Sequence, residues 1–185
     1  MKKMLRVIKD IDTSTGEVCK QREQRYEPTL TEEGYKVPGH KAGAKIFEGV
    51  AFPESMTHAE IGKMTILAKN MIPISNMLGY RSKGCILSYT EAHITAMVGL
   101  SPKRGRQFIQ KMIDLGVMQR VIRQYDDQEY IEFYINPAYF FAGKRISLNL
   151  YLLFREHLDP LLPSWVKQEF VKLAKGFSEK AGDRS

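Results

Sequence analysis

The amino-acid sequence predicts an α+β fold, because the spacing of its apolar residues changes twice along the chain. Near the N-terminus, apolar residues flank a cluster of turn residues, which favours two short strands. A period of about 3.6 residues over 57–115 indicates helices, and a period of 2 over 117–135 indicates two further strands. The chain has 185 residues, of which 43% are hydrophobic. It can therefore form one packed domain with extensions, or two very small domains.

The composition argues against membrane, secreted and metal-binding proteins. No apolar run approaches the ~18–20 residues of a membrane-spanning helix, and the N-terminus lacks the apolar stretch of a signal peptide. Cys19 and Cys85 have no second cysteine at the spacing of a metal site, so we expect reduced thiols. Neither a phosphate-binding glycine loop nor a nucleophile elbow is present. We expect a cytoplasmic protein that is not an enzyme, needs no metal or cofactor and does not bind membranes.

Residues 1–20 are predicted to form a β-hairpin, and residues 21–46 are predicted to form a linker. In the hairpin, Asp, Thr, Ser and Gly residues cluster between apolar segments, which is typical of a turn. The linker is polar and basic, and prolines and glycines interrupt it so often that no regular period survives.

Three helices are predicted in the middle of the chain, at residues 57–70, 88–98 and 101–115, with a loop at 75–84. Thr57 with Glu60, and Ser88 with Glu91, have the spacing of capping boxes, so we place the first two helix starts there. The Ser-Pro pair at 101–102 starts the third helix, because proline is tolerated at the first helical position.

The second and third helices are joined by a tight turn at residues 99–101, and strands follow at 117–124 and 129–135. This order is typical of a winged helix-turn-helix, in which the second helix of the pair enters the major groove of DNA. Thr95 stands where such motifs usually have alanine, and Gly105 stands where they usually have a branched apolar residue. A mid-helix glycine costs about 1 kcal/mol, and it either lets the helices approach closely or loosens the motif.

The winged helix-turn-helix domain is therefore assigned to residues 47–143. It is followed by C-terminal helices at 144–175, predicted as 147–158 and 164–175, and by a flexible tail at 176–185. Aromatic residues cluster near the end of the domain, at Tyr130, Phe133, Tyr134, Tyr139, Phe140 and Phe141. Stacking on single-stranded bases is one interpretation of this cluster. We favour a hydrophobic seam between the wing and the C-terminal helices.

The positive charge is concentrated in one part of the chain. The net charge is +7, and residues 81–123 contain eight basic and two acidic residues, a net charge of +6. This distribution is expected of a polyanion site, although an ordinary solvated face has the same composition. Residue types that read bases in the major groove lie on the third helix, at Lys103, Arg104, Arg106, Gln107 and Gln110. Salt-dependent affinity is expected from the remaining cations, which are Arg81, Lys83, Lys111, Arg120 and Arg123.

Three sequence features occur in an order that is found in one protein family. They are the hairpin sequence at 11–18, the Leu-Ser and Asp-Leu-Gly-Val sequences that flank the third helix at 100–101 and 114–117, and the Tyr-Ile-Asn-Pro sequence at 134–137 with Gly143 and the Tyr-Leu-Leu-Phe sequence at 151–154. In these features the chain resembles the RepL-type replication proteins of plasmids and related mobile elements in Gram-positive bacteria, over about residues 5–20 and 47–155. The resemblance implies binding of origin DNA in the initiation or maintenance of replication. It carries over no enzymatic residues.

The sequence leaves two other functions open. A transcriptional regulator of a plasmid, phage or integrated element needs the same groove-reading helix, and some winged helices are scaffolds that bind proteins. The expected partners are double-stranded DNA at an origin or operator, host replication proteins and a second copy of the chain. For the last of these, Trp165 and Phe170 in the C-terminal helices would supply a symmetric interface.

Overall fold

The computed structural model describes residues 4–11, 18–26, 30–31, 34–36, 50–125 and 128–182. Its elements are β1 (Met4–Ile11), β2 (Val18–Tyr26), β3 (Leu30–Thr31), β4 (Gly34–Lys36), α1 (His58–Ala68), β5 (Gly79–Ser82), β6 (Cys85–Ser88), α2 (Glu91–Met97), α3 (Pro102–Asp114), β7 (Met118–Tyr125), β8 (Gln128–Ile135), β9 (Arg145–Ile146), α4 (Leu148–Leu153), α5 (Arg155–Leu158) and α6 (Ser164–Gly182). Helices are combined with small antiparallel sheets, so the predicted α+β class is confirmed.

The described strands pair in short antiparallel sheets. β1 with β2, β5 with β6, and β7 with β8 form two-stranded sheets, and β4 lies between β3 and β9. β1 and β2 pair where the sequence predicts a hairpin, but β2 continues to Tyr26 and so enters the predicted linker. The connecting residues 12–17 lie outside the described part of the chain.

Part of the predicted linker at 21–46 is a strand that pairs over a long range. Tyr35 of β4 lies opposite Ile146 of β9, and its side chain is buried. Gly34 has a φ of +118°, and a Cβ there would overlap the carbonyl oxygen of Ile146, so glycine is required. The linker prediction is wrong for β4, because a strand of three residues is too short to show a period. Residues 37–46 lie outside the described residues.

The first hydrophobic core lies between α1, α2, α3 and the hairpin of β7 and β8. α1 begins after Thr57, and the predicted capping box with Glu60 is formed. Met64 and Leu67 of α1 and Ile94 of α2 are fully buried. Other buried members of this core are Phe108, Ile109, Met112, Val117, Met118, Phe133 and Ile135. The three helices are therefore held against one face of the hairpin.

The start of α2 differs from the prediction. Its N-cap is Thr90, whose hydroxyl accepts a hydrogen bond from the backbone N–H of His93, so the start predicted at Ser88 is wrong. Ser88 ends β6 instead, and its hydroxyl donates to the carbonyl oxygen of Ile131. Both Ser88 and Thr90 are residue types that cap helices, and strand pairing with β5 decides between them.

The loop predicted at 75–84 contains a second hairpin. β5 and β6 are joined by Lys83 and Gly84, which have φ values of 47° and 81°. Positive φ at both positions is characteristic of the two-residue turn that fits the twist of a hairpin. The loop prediction is therefore wrong for residues 79–84, because strands of four residues give little periodic signal.

Asn76 fixes the segment before β5 against β8. Its side chain is fully buried, and its Nδ2 donates to the carbonyl oxygens of Ile135 at 3.1 Å and Phe140 at 2.7 Å. Its Oδ1 accepts from the N–H of Ala142 at 3.0 Å. A buried amide with all of these groups satisfied stabilises a single arrangement of the strands around it.

The second core lies between β4, β8, β9 and the C-terminal helices. Its buried side chains include Tyr35, Tyr134, Phe141, Ile146, Tyr151, Phe154 and Phe170. The helix predicted at 147–158 is interrupted at Phe154, which has φ −124° and ψ 27° and a buried ring. α6 continues to Gly182, so the helix end predicted at residue 175 is wrong. None of the described helices combines the length and the apolar character needed to cross a membrane.

Candidate nucleic-acid interface

The outward side of α3 carries five of the residues that the sequence assigns to DNA binding. The exposed side chains are Lys103, Arg104, Arg106, Gln107 and Gln110, and the buried residues are Gly105, Phe108, Ile109 and Met112. With 3.6 residues per turn, Lys103, Gln107 and Gln110 follow one another directly opposite the buried side. Arg104 and Arg106 lie on the two flanks of this row. α3 therefore presents a polar row between two cations.

The two departures from the usual helix-turn-helix pattern complement each other. Gly105 of α3 is buried against Thr95 of α2, and a Cβ at Gly105 would lie 2.7 Å from Thr95 Cβ and closer still to its Oγ1 and Cγ2. The absence of a side chain lets the two helices approach closely, the first of the two effects expected of this glycine. Gly99, at φ +64°, ends α2 in the left-handed conformation. These contacts fix the direction of α3.

Lys111 is paired with a carboxylate at the protein surface, and its side chain is 38% exposed. Its Nζ lies 2.8 Å from the carboxylate of Glu60 and 3.0 Å from the carbonyl oxygen of Ser55. Burial raises the pKa of Glu60, but hydrogen bonds from Lys111 and Thr57 outweigh it, so the pKa is lowered overall. The pair joins α3 to α1. Lys111 is thus engaged in a contact that sequence reasoning did not include.

Arg120 and Arg123 lie on opposite faces of the β7–β8 hairpin, because side chains alternate along a strand. Arg120 is opposite Phe133 of the first core, and its guanidinium is 3.9 Å from Glu91 at the start of α2. Arg123 Nε donates to Glu132 at 2.6 Å, and Tyr134 Oη donates to the same carboxylate at 2.7 Å. The hairpin therefore presents Arg120, but not Arg123, on the face that packs against α1, α2 and α3.

The remaining predicted cations lie on the β5–β6 hairpin. Arg81 is exposed on β5, and Lys83 is exposed in the turn that follows it. The signal for this hairpin was the Lys-Gly pair between two short segments with apolar residues, which resembles the Asn-Gly and Asp-Gly pairs of such turns. The described structure therefore distributes the predicted cations over α3 and two hairpins.

Gln110 has a partner that is not among the residues assigned from sequence. Its Nε2 donates to Asp114 Oδ1 at 2.8 Å. A carboxylate only accepts hydrogen bonds, so this contact leaves the amide oxygen of Gln110 available as an acceptor. The spacing of four residues on a helix was the signal for the pair.

The aromatic cluster divides between the two cores. Phe133, Tyr139 and Phe140 are buried in the first core, and Tyr134 and Phe141 in the second. Tyr130 is exposed. Burial raises the pKa of Tyr134 and of Tyr139. Five of the six rings thus form packing contacts, but only Tyr134 and Phe141 lie in the core that includes the C-terminal helices, so the predicted seam with these helices involves two of the rings. Within the described residues, no group of three or more His, Cys, Asp and Glu side chains is placed to hold a metal ion.

Comparisons with family models, curated proteins and solved structures found no match for this chain.

Proposed function

We propose that the protein is a winged helix-turn-helix protein that binds double-stranded DNA in a sequence-specific manner and acts in replication initiation or maintenance of a plasmid or related mobile element. The observation that carries the proposal is the outward side of α3, where Lys103, Gln107 and Gln110 form a row flanked by Arg104 and Arg106. A helix with side chains is about 10–12 Å wide, and the major groove is about 12 Å wide.

The order of the elements also supports a winged helix. α1 is followed by an antiparallel pairing of Met77 with Tyr134 of β8, and then by α2, α3, β7 and β8. Two main-chain hydrogen bonds make this pairing. Leu78 N–H donates to the carbonyl oxygen of Phe133 at 2.7 Å, and Ile135 N–H donates to the carbonyl oxygen of Asn76 at 3.0 Å. A short strand therefore adds to the β7–β8 hairpin, whose connection at residues 126–127 would be the wing.

The side chains divide into two groups by their position on α3. Lys103, Gln107 and Gln110 would contact base edges, because they lie on the side that faces the floor of the groove. Arg104 and Arg106 would contact the phosphates on its two walls. Arg120, Arg81 and Lys83 would add phosphate contacts from the hairpins, as cations at the edges of such modules do. Lys111 is left out of this set because Glu60 already binds it.

The role in replication depends on the resemblance to RepL-type proteins. A replication protein of this type would bind a repeat in origin DNA through α3 and recruit host replication proteins with its remaining surface. A transcriptional regulator would use the same helix at a promoter. The two roles are separated by where the bound sequence lies and by what its loss changes.

The experiment is selection of bound duplexes from a random pool with the full chain, followed by affinity measurements at several salt concentrations. Gln107→Ala is expected to relax the preference at one base position, with a loss of ~1–3 kcal/mol for the preferred base. Arg106→Ala is expected to weaken all duplexes similarly and to reduce the salt slope by about 1. Lys144→Ala removes an exposed cation that belongs neither to α3 nor to the β5–β6 and β7–β8 hairpins, and it should change neither property.

Three results would contradict the proposal. Absence of any preferred duplex would exclude sequence-specific binding, and equal effects of Lys144→Ala and Arg106→Ala would exclude α3 as the contact. If a preferred site maps to promoters, and a knockout changes transcription while element copy number stays constant, the replication role is wrong.

A further inference from the structure

A groove of about 560 Å³ lies between the β5–β6 hairpin, the start of α2 and β8. Five large apolar side chains that are exposed to solvent line it, namely Tyr80, Ile86, Leu87, Tyr130 and Ile131. Single exposed apolar residues are normal on a protein surface, whereas a contiguous group is typical of a binding site. None of the α3 residues assigned to DNA lines this groove.

One wall of the groove is an edge of β8. β7 pairs with one edge of this strand. On the opposite edge, the carbonyl oxygen of Phe133 accepts a hydrogen bond from Leu78 N–H. Because main-chain groups alternate in direction along a strand, the other odd-numbered residues of β8 also direct theirs to this second edge. On that edge, Ser88 Oγ donates to Ile131 at 3.2 Å, and no described strand pairs with Glu129 or Ile131. An edge of this kind offers N–H and C=O groups to an added strand.

The charged side chains that line the groove are all carboxylates, those of Glu91, Glu129 and Glu132, and His93 lies beside them. Arg120 and Arg123, which do not line the groove, bind Glu91 at 3.9 Å and Glu132 at 2.6 Å. Glu129 has no ion pair among the described residues. Glu129 is therefore the carboxylate left for an occupant, and because no Lys or Arg lines the groove, the site favours a cationic occupant over a nucleic acid.

We propose that this groove binds a short extended segment of another protein, in which apolar side chains alternate with Lys or Arg. The segment adds as a strand to the edge of β8 at Glu129 and Ile131, where Ser88 already binds the Ile131 carbonyl oxygen but no described strand is paired. Its apolar side chains lie on Ile86, Leu87 and Ile131, and its cations lie near Glu129. One residue of a strand occupies roughly 160 Å³, from a rise of ~3.3 Å and spacings of ~4.8 and ~10 Å. The volume of about 560 Å³ therefore matches three or four residues.

The test is selection of 12-residue peptides from a random phage-displayed library on the full-length protein, followed by affinity measurements on the enriched peptides made synthetically. We expect enriched peptides to alternate apolar residues with Lys or Arg. Binding should weaken at least tenfold in Ile131→Lys and in Leu87→Lys. Ile122→Lys is the matched control, because Ile122 is the exposed cross-strand neighbour of Ile131 on β7 but does not line the groove.

Strand addition has a second signature. The backbone N–H groups of Glu129 and Ile131 should exchange with solvent more slowly when an enriched peptide is bound, because the added strand accepts hydrogen bonds from this edge. Thermal unfolding of each variant in parallel identifies any variant that fails to fold, and the other groove variant then decides the outcome.

Several results would overturn the inference. They are the absence of enriched peptides, enrichment of acidic peptides, equal weakening by Ile122→Lys, and unchanged exchange at Glu129 and Ile131. A dimer that forms with increasing concentration and is abolished by Ile131→Lys would assign the groove to a second copy instead. Random duplexes that compete with the peptide for the groove would assign it to nucleic acid. DNA selection through α3 is measured separately, so failure here leaves that result unaffected.

Discussion

The contact between Gly105 and Thr95 allows a quantitative prediction for Gly105→Ala. The added methyl group would lie 2.7 Å from Thr95 Cβ, which belongs to the stiff part of that side chain, so a rotamer change cannot relieve the overlap. Overpacking of this kind costs about 1–3 kcal/mol, and the better helix propensity of alanine offsets about 1 kcal/mol. Because the backbone of α2 or α3 must move, we expect the upper part of that cost and a net loss of about 1–2 kcal/mol.

Urea unfolding followed by circular dichroism measures this loss. With an m value of ~2 kcal/mol/M, the middle of the typical range, the midpoint should fall by roughly 0.5–1 M. Gly62→Ala in α1 is the matched control, because nothing lies within 4 Å of a Cβ at Gly62, and it should stabilise by about 1 kcal/mol. Thr95→Ala should recover part of the loss in the Gly105→Ala background, since it removes Oγ1 and Cγ2 but leaves Cβ. A Gly105→Ala protein as stable as Gly62→Ala would refute the close-approach argument.

Three further predictions concern Lys111, Glu60 and Asn76. Lys111→Met should lower the free energy of unfolding by about 1 kcal/mol, because Glu60 loses its partner. It should leave the salt dependence of DNA binding unchanged, and a salt slope reduced as much as in Arg106→Ala would contradict this prediction. The lowered pKa of Glu60 contributes stability that is present above its ordinary value of 4.5 and lost as pH falls through the lowered value. Unfolding of Glu60→Gln should therefore show a smaller loss of stability on acidification than the wild type, and identical pH profiles would exclude the contribution. Asn76→Gly keeps the φ of 56° accessible but removes three buried hydrogen bonds, so it should lower the free energy of unfolding in urea by about 2–4 kcal/mol. The control is Asn149→Gly at an exposed position, which should cost no more than about 1 kcal/mol. Similar losses in the two variants would contradict the role of Asn76.

The sequence predicts the helices around the first core well, because their signals are local. α3 begins at Pro102 and ends before the left-handed Gly116, as its N-terminal proline and following glycine indicate. Apolar residues spaced at helical intervals, such as Phe108 and Met112, correctly mark the buried side. Local signals were sufficient here because the apolar period repeats over several turns and capping residues mark the helix ends.

The missed elements are those whose partners are distant in sequence. β4 pairs with β9 more than 100 residues away, and its three residues carry no period of their own. Ser88 has the same capping chemistry as Thr90, and only the pairing of β6 with β5 shows that Ser88 belongs to a strand. Short strands gain their stability from the neighbour they pair with, and the neighbour is not visible in a local window.

The same reasoning applies to the candidate site. The exposed row on α3 follows from residue type and helical spacing, so it could be predicted residue by residue. Lys111 has the same residue type as Lys103, and only its partner Glu60, 51 residues earlier, distinguishes a structural cation from an exposed one. The groove beside β8 also could not be foreseen, because it depends on how two hairpins diverge.

The bond from Arg145 to the carbonyl oxygen of Gly34, which spans 111 residues, has a consequence for how the chain acquires its structure during translation. Synthesis proceeds from the N-terminus at about 5–20 residues per second, so Gly34 leaves the ribosome at least several seconds before Arg145. All residues of α1, α2, α3, β7 and β8 are made in that interval. The helical unit can therefore reach its native arrangement first, and the early segment containing Tyr35 docks only once β9 has emerged.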